Sequence, residues 1–246
     1  MAALASRRPA RLGGAFCVLA LVWAAPLKAQ EAEVEAGAVV EAPEDLEEAP
    51  ALPPQVEADP VATLRAVEVF EAAAGDSHCI RALDWIDEED LAPRIYALPP
   101  HPETGERDLL FQFLCNRAAY NETHVFIAGK ADGSRFDLLQ FPAPLVDVDY
   151  ENDDFEGAVL GVRIVGLQLK REIVNAAFDP ETAEISEFSR WRGISDASSS
   201  AVWRYVDDPE TSFDGGYELK EYQLDASYDG EANPQRLIPP PEAEAP

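Results

Sequence analysis

A short basic and aromatic cluster is the part of the sequence best suited to bind a ligand. It consists of Arg190, Trp191 and Arg192, with Asp196 four residues after the second arginine. Arginine binds carboxylates through paired hydrogen bonds and stacks on aromatic rings, and tryptophan supplies a large, rigid contact surface. The cluster therefore predicts a site for a carboxylate, a sugar or a protein partner. The alternative is structural: an arginine pairs with Asp196 or Asp179, and Trp191 covers the core.

Catalytic patterns have less support. A serine hydrolase needs a histidine beside its nucleophile, but His101 lies in a proline-rich loop and the chain has no Gly-x-Ser-x-Gly motif. Carboxylate pairs for glycoside hydrolysis could be drawn from almost anywhere in so acidic a chain, so they indicate nothing specific. We therefore expect that the protein is not an enzyme. An envelope-directed hydrolase that uses acidic residues is the alternative.

One acidic loop is a weak candidate for calcium, an ion that several converging oxygens bind. The residues concerned are Asp147, Asp149, Glu151 and Asp153. The EF-hand pattern fails here, because Asn152 stands where the turn glycine belongs and Ala158 where a bidentate glutamate belongs. We predict a solvated acidic loop, with no metal and no other cofactor.

The N-terminus predicts export. Residues 1–29 combine three arginines, an apolar run at 15–25 and a small-residue cleavage site at 27–29. The apolar run has about half the length that a membrane span needs, so the segment is typical of a signal peptide. We predict a periplasmic or secreted protein without a transmembrane span after cleavage.

The rest of the chain is strongly acidic. It keeps 15 of the 19 Lys and Arg residues against all 47 Asp and Glu residues. Such a charge repels phosphate backbones, so we expect no binding to nucleic acid. The same charge favours a basic protein or peptide as partner.

Composition divides the chain after the signal peptide into three parts. Residues 30–60 hold ten acidic residues, five prolines and no basic residue, which is typical of a disordered linker. Residues 239–246 have a similar composition and are predicted to form a disordered tail. Residues 61–238 remain as one globular domain, long enough to bury a core.

Two cysteines, Cys79 and Cys115, follow the signal peptide. In an oxidising compartment, two cysteines favour a disulfide over a metal site or a thiol nucleophile. The predicted bridge closes a loop of more than thirty residues.

The elements that position these residues are mostly strands. Residues 61–75 repeat apolar side chains at helical spacing up to a glycine, and residues 85–91 suit a short acidic turn of helix. From residue 94 onward, short β-rich runs alternate with turn residues. We predict a mainly β fold, α+β if the helical lead-in is counted. It would be an antiparallel sheet or sandwich of about 8–10 strands after one or two helices.

Three strands have informative patterns. In residues 108–115, side chains on both faces of the predicted strand are mostly apolar, which predicts burial on both faces. The apolar, glycine-containing run 157–171 favours an extended strand with bends. Ile185 and Phe188 cannot share one face of a regular strand, so either a β-bulge lies near Ser186 and Glu187 or both faces are buried.

Two motifs resemble a bacterial secreted family of unknown function, DUF1176. The first, LCNRAAYN at 114–121, is similar to the family's Pro-Cys-x-x-Gly-Ala-Tyr-Asn, and its Tyr120 and Asn121 complete our binding candidates. The second runs from Asn175 through Asp179 to Asp196. The resemblance covers roughly residues 90–230. It implies a location and a domain type, but no activity and no catalytic residue.

This chain departs from the family pattern at two cysteines. The family's Gly-Asp-Cys-Gly is Ser-Asp-Ala-Ser at 195–198 here, and its Cys-Asp-Gly is Tyr-Asp-Gly at 228–230. The simplest account is that these cysteines pair with each other in relatives and were lost together. It predicts a looser junction between Asp196 and Tyr228.

Together, these patterns predict a periplasmic or secreted, non-enzymatic binding or envelope-associated module. A basic protein or peptide is the expected partner class, and inhibition of a basic cell-wall hydrolase is one concrete version. A calcium-stabilised structural domain is the weaker alternative.

Overall fold

The computed structural model describes residues 53–75, 79, 88–130, 132–206 and 216–239, and the predicted signal peptide lies outside them. Two short helices come first, α1 (Pro60–Phe70), which one π-helical turn (Glu71–Gly75) continues, and α2 (Glu88–Leu91). The strands are β1 (Arg94–Pro100), β2 (Arg107–Arg117), β3 (Glu122–Gly129), β4 (Phe136–Leu138), β5 (Phe141–Tyr150), β6 (Val159–Lys170), β7 (Glu172–Val174), β8 (Ala177–Asp179), β9 (Glu184–Arg190), β10 (Ser198–Val206), β11 (Gly216–Asp225) and β12 (Gln235–Ile238). The predicted mainly β, antiparallel fold with a helical lead-in is confirmed. Among the described residues, no helix is long and apolar enough to cross a membrane.

The folded part begins before residue 61, where sequence composition placed its start. Val56 already donates its backbone N–H to the carbonyl of Ile95, at 2.9 Å. Asp59 caps α1 with its carboxylate, and Pro60 takes the first helical position. An Asp-Pro pair suits a helix start, because aspartate accepts an orphan N–H and proline has none to lose. Part of the segment that composition assigned to the linker, residues 53–60, therefore contacts the folded part.

The first sheet has the order β1-β2-β3-β4, with β7 also paired to β3. Its central strand β2 is buried on both faces at residues 110–115, as the alternating pattern predicted. On one face α1 packs against it, with Phe70 stacked on Phe113 at a ring separation of 4.6 Å. The predicted disulfide between Cys79 and Cys115 is present on this face and ties the segment after α1 to β2.

The second sheet, in the order β12-β11-β10-β9-β8, packs on the opposite face of the first. The core between the sheets is made of large apolar side chains: Tyr96, Leu98, Leu110, Phe126, Phe141, Ile173, Phe178, Ile185 and Trp203. Trp203 is fully buried and donates its indole N–H to the carbonyl of Pro142 at 2.7 Å. In the part of the chain that the structure describes, the helix and these two sheets therefore form three layers.

Strand β9 does not contain the bulge that was one of two predictions for it. It pairs without a register shift with both β8 and β10. Ile185 and Glu187 point inward, and Phe188 points outward, with 39% of its surface exposed. The inward glutamate is stabilised because its carboxylate accepts from Lys170 Nζ at 2.5 Å and from the Val174 N–H at 3.0 Å. The alternative prediction, that apolar side chains are buried on both faces of β9, is therefore also wrong.

Strands β5 and β6 form a separate long hairpin. The start of β5 is buried against the core, whereas β6 is largely exposed. Two register shifts interrupt the pairing and leave Leu160 and Val165 without opposite partners. The predicted extended strand with bends is therefore present at 159–170, and its bends are β-bulges.

Candidate functional site

Two asparagines join the two family-like motifs. Asn121 donates to the Arg190 carbonyl at 2.8 Å and accepts from the Arg190 N–H at 3.2 Å. Asn175 donates to Asn121 Oδ1 at 2.9 Å and to the Phe188 carbonyl at 2.8 Å, and accepts from the Glu122 N–H at 2.8 Å. Its φ of 45° lies in the left-handed region, which asparagine enters more readily than other residues with a side chain. We call Asn121 and Asn175 the asparagine clamp. Asn121, a predicted binding residue, makes internal contacts here.

The clamp fixes the end of β9, from which residues 191–197 form a tight loop. The Trp191 N–H donates to the Ala197 carbonyl at 2.9 Å, and the Ser195 N–H donates to the Arg192 carbonyl at 3.0 Å. Closing the loop in this way directs the side chain of Arg192 back toward Asp196.

Arg192 and Asp196 form an internal ion pair. Arg192 Nε lies 2.6 Å from one carboxylate oxygen, and Nη2 binds the other. Asp196 is buried and also accepts from the Gly230 N–H at 3.0 Å. These contacts hold the pKa of Asp196 well below its ordinary value and raise the pKa of Arg192. For this pair the structural alternative holds, and the arginine's charge is neutralised within the chain.

The junction between Asp196 and Tyr228, predicted to be loose, is held by several contacts. Arg192 Nη2 donates to the Tyr228 carbonyl at 2.8 Å, and its guanidinium carbon lies 5.2 Å from the centre of the Tyr228 ring. Asp196 reaches the same loop through Gly230. The loop is therefore tied without a covalent bond, because a buried carboxylate and a tyrosine ring converge on one guanidinium.

Tyr228 is also the centre of a group of partly exposed rings. Its ring lies 6.5 Å from that of Trp191 and 5.5 Å from that of Phe155. Tyr120 packs beside Gly193, with Cδ1 3.8 Å from the position that a β-carbon would take there. Tyr120, Phe155 and Trp191 are between 37% and 59% exposed. We call Tyr120, Phe155, Trp191 and Tyr228 the aromatic surface.

Arg190 lies apart from the ion pair. Its guanidinium carbon lies 5.9 Å from the centre of the Phe188 ring. Its Nε is buried, and this atom has no hydrogen-bond partner among the described residues. The structure thus brings Tyr120, Trp191, Arg192 and Asp196 together and directs Arg190 to a different neighbour.

A groove of about 450 Å³ adjoins Tyr228. The exposed carboxylates of Glu156 and Asp229 lie on its rim, and Val162 and Leu224 contribute apolar side chains. We call it the Tyr228 groove. Sequence reasoning missed it, because Tyr228 was noted only as a lost cysteine and the groove's walls are far apart in the sequence.

A second, smaller cavity of about 160 Å³ surrounds His124. Arg117 binds both of its carboxylates, Asp90 at 2.8 Å and Glu122 at 2.6 Å. His124 is 5% exposed, and burial lowers its pKa from 6.5 to about 4. Two-carboxylate catalysis needs one protonated and one ionised group beside the substrate. Because Arg117 holds both carboxylates here, this cavity does not favour the hydrolase alternative.

The calcium candidates lie on β5 and in the loop after it. Asp147 accepts from Arg163 Nε at 3.0 Å and from Nη2 at 2.5 Å. Asn152 takes a φ of 59°, so an asparagine adopts the backbone conformation that EF-hand loops reserve for glycine. Within the described part of the chain, no group of three or more His, Cys, Asp or Glu side chains is placed to hold a metal ion.

The fold and the site define a mainly β, disulfide-bonded domain in which two sequence motifs meet at an asparagine clamp. The chain belongs to the family described as "Protein of unknown function (DUF1176)", whose profile matches residues 38–223. The match therefore begins well before residue 90, where the resemblance was first visible. No curated protein and no solved structure matches the chain.

Proposed function

We propose that this protein is a non-enzymatic binding module that holds a basic polypeptide on the aromatic surface and in the Tyr228 groove. The observation that carries the proposal is the position of partly exposed rings beside a groove with two carboxylates on its rim. Arg192, which contacts Tyr228, is paired with Asp196, so its charge does not offset the two carboxylates on the rim.

The chemistry suits lysine and arginine side chains. Their stems pack on apolar groups while their charged ends reach rings and carboxylates. A cation over an exposed ring contributes about 0.5–1 kcal/mol, and more if it is desolvated. Each ion pair at the rim contributes up to about 1 kcal/mol, and a strongly acidic protein speeds the approach of a basic partner.

The binding test uses hen lysozyme and a nine-residue polyarginine peptide as basic probes, at about 50 and 150 mM salt. Glu156→Gln with Asp229→Asn removes both rim charges. Glu103→Gln with Glu106→Gln makes the same charge change in the exposed loop between β1 and β2. We expect the rim pair to weaken binding about 5- to 30-fold, which corresponds to about 1–2 kcal/mol, and the loop pair to weaken it less than twofold.

Trp191→Ala should weaken binding about tenfold, because truncating an aromatic contact residue typically costs more than 1 kcal/mol. Equal effects of the rim double variant and the loop double variant would show that binding depends only on the net charge of the protein. No salt-sensitive binding to either probe would remove the proposal.

We propose further that the protein is periplasmic or secreted. The N-terminal signal pattern supports this, and so does the Cys79–Cys115 disulfide, because such bonds persist in oxidising compartments. Cell fractionation and mass measurement of the purified chain test it. Recovery outside the cytoplasm without about 29 residues is the expected result, and an uncleaved cytoplasmic chain contradicts it.

A further inference from the structure

Strand β6 exposes an unusual amount of apolar surface. Among the described strands it pairs only with β5, so its outer edge has no partner over twelve residues. Five large apolar side chains on it are between 41% and 71% exposed: Leu160, Ile164, Val165, Leu167 and Leu169. Contiguous apolar surface along an open strand edge marks a site of association, because soluble proteins otherwise protect such edges.

The charges of β6 are neutralised within the chain. Arg163 binds Asp147 on the neighbouring strand, and Lys170 binds the buried Glu187. No acidic residue occurs between Val159 and Lys170, although the protein as a whole has a net charge of −28. Two copies of so acidic a chain repel each other elsewhere, and β6 is a surface on which they can approach.

The two ends of β6 carry opposite charge. Its beginning adjoins the acidic hairpin loop, which contains Glu151, Asp153, Asp154 and Glu156, and its end is followed by the exposed Arg171. If two copies lie antiparallel along β6, the acidic loop of each comes next to the basic end of the other. A two-fold axis through Ile164 or Val165 also places Arg163 opposite an apolar residue, so the two copies of Arg163 do not face each other.

We propose that two copies of this chain associate through β6, antiparallel and around a two-fold axis, so that the two hairpins form one continuous apolar surface. The occupant is a second copy because, in an antiparallel pair, the acidic loop before β6 of each copy lies next to Arg171 at the end of the other copy's strand. This interface uses the outer edge of β6 and does not depend on the binding function proposed for the Tyr228 groove.

The test is the sedimentation velocity of the purified protein from about 1 to 100 µM, a range over which dimers of micromolar affinity dissociate. Leu167→Lys and Val165→Lys place a charge on the exposed strand and should weaken the dimer at least tenfold. Leu64→Lys is the matched control, since Leu64 is 58% exposed on α1. All three side chains are exposed, so unchanged thermal melts are expected and would show that the variants fold.

A charge reversal tests the orientation. Arg171→Glu should weaken the dimer, and adding Glu156→Lys to the same chain should restore it, because a two-fold axis through Ile164 or Val165 places residue 171 of one copy opposite residues 157–159 of the other, next to residue 156. A wild-type protein that stays monomeric at 100 µM overturns the proposal. So does a dimer that Leu64→Lys weakens as much as the β6 variants do.

Discussion

The buried His124 predicts a pH dependence of folding stability whose size follows from the structure. Burial lowers the pKa of His124 from 6.5 to about 4, against a smaller opposing effect of Glu122. The unfolded chain therefore binds more protons than the folded chain between these pH values, and the free energy of unfolding falls as the pH falls through this window. This difference between the pKa of His124 in the unfolded and in the folded chain corresponds to about 3 kcal/mol in the free energy of unfolding. Below pH 4 the folded chain is protonated as well, and this contribution to the decline ends.

The assay is urea unfolding of the wild type and of His124→Gln at several values between pH 7 and pH 4. The variant has its own stability at pH 7, so the relevant quantity is the change with pH. We expect the wild type to lose about 3 kcal/mol more than the variant over this range. His101→Gln, in the loop between β1 and β2, should follow the wild type. Parallel curves for the wild type and His124→Gln would refute the reasoning, because they would mean that His124 titrates alike in both states.

Three further predictions concern the ties between segments. Asn175→Ala loses three hydrogen bonds shorter than 3 Å, each of about 1 kcal/mol, and forces alanine into the left-handed region at a cost of about 1 kcal/mol, so it should reduce the free energy of unfolding by about 4 kcal/mol. Asn175→Gly should lose about 1 kcal/mol less, and equal losses in urea unfolding would contradict the role of φ. Cys79→Ala with Cys115→Ala opens a loop between residues 36 positions apart and should cost about 4 kcal/mol. Reductant should destabilise the wild type similarly but leave that variant unchanged. Ala197→Cys with Tyr228→Cys should form a second disulfide, visible as a mass lower by two hydrogens and lost on reduction; free thiols in the oxidised protein would show that the two loops do not approach closely enough.

Local patterns predicted the parts of the fold that depend on neighbours in the sequence. The burial of β2 follows from unbroken apolar alternation, and the turn at Asp179 follows from an Asp-Pro pair whose carboxylate accepts from the Glu181 N–H at 2.8 Å. The disulfide followed from counting cysteines and from the expected compartment. None of these predictions depends on which strands are neighbours in a sheet.

Contacts between distant segments could not be predicted in this way. Asn121 and Arg190 are 69 positions apart, so the asparagine clamp exists only once the two sheets have packed. The inward position of Glu187 was missed for the same reason. A buried carboxylate looks unfavourable in the sequence, and Lys170, which compensates it, comes from the β5–β6 hairpin. The bulge prediction failed because it assumed that Phe188 belonged to the core.

Tyr228 links the stability of the junction at Asp196 to the chemistry of the aromatic surface. Its carbonyl and its ring both contact Arg192, and its ring lies between those of Trp191 and Phe155. A relative with cysteine at this position would gain a covalent tie but lose the central ring of the surface. The asparagine clamp, in contrast, uses residues of the two motifs that carry the resemblance to the family. A partner that recognises the ring of Tyr228 would therefore not bind a relative with cysteine at this position in the same way.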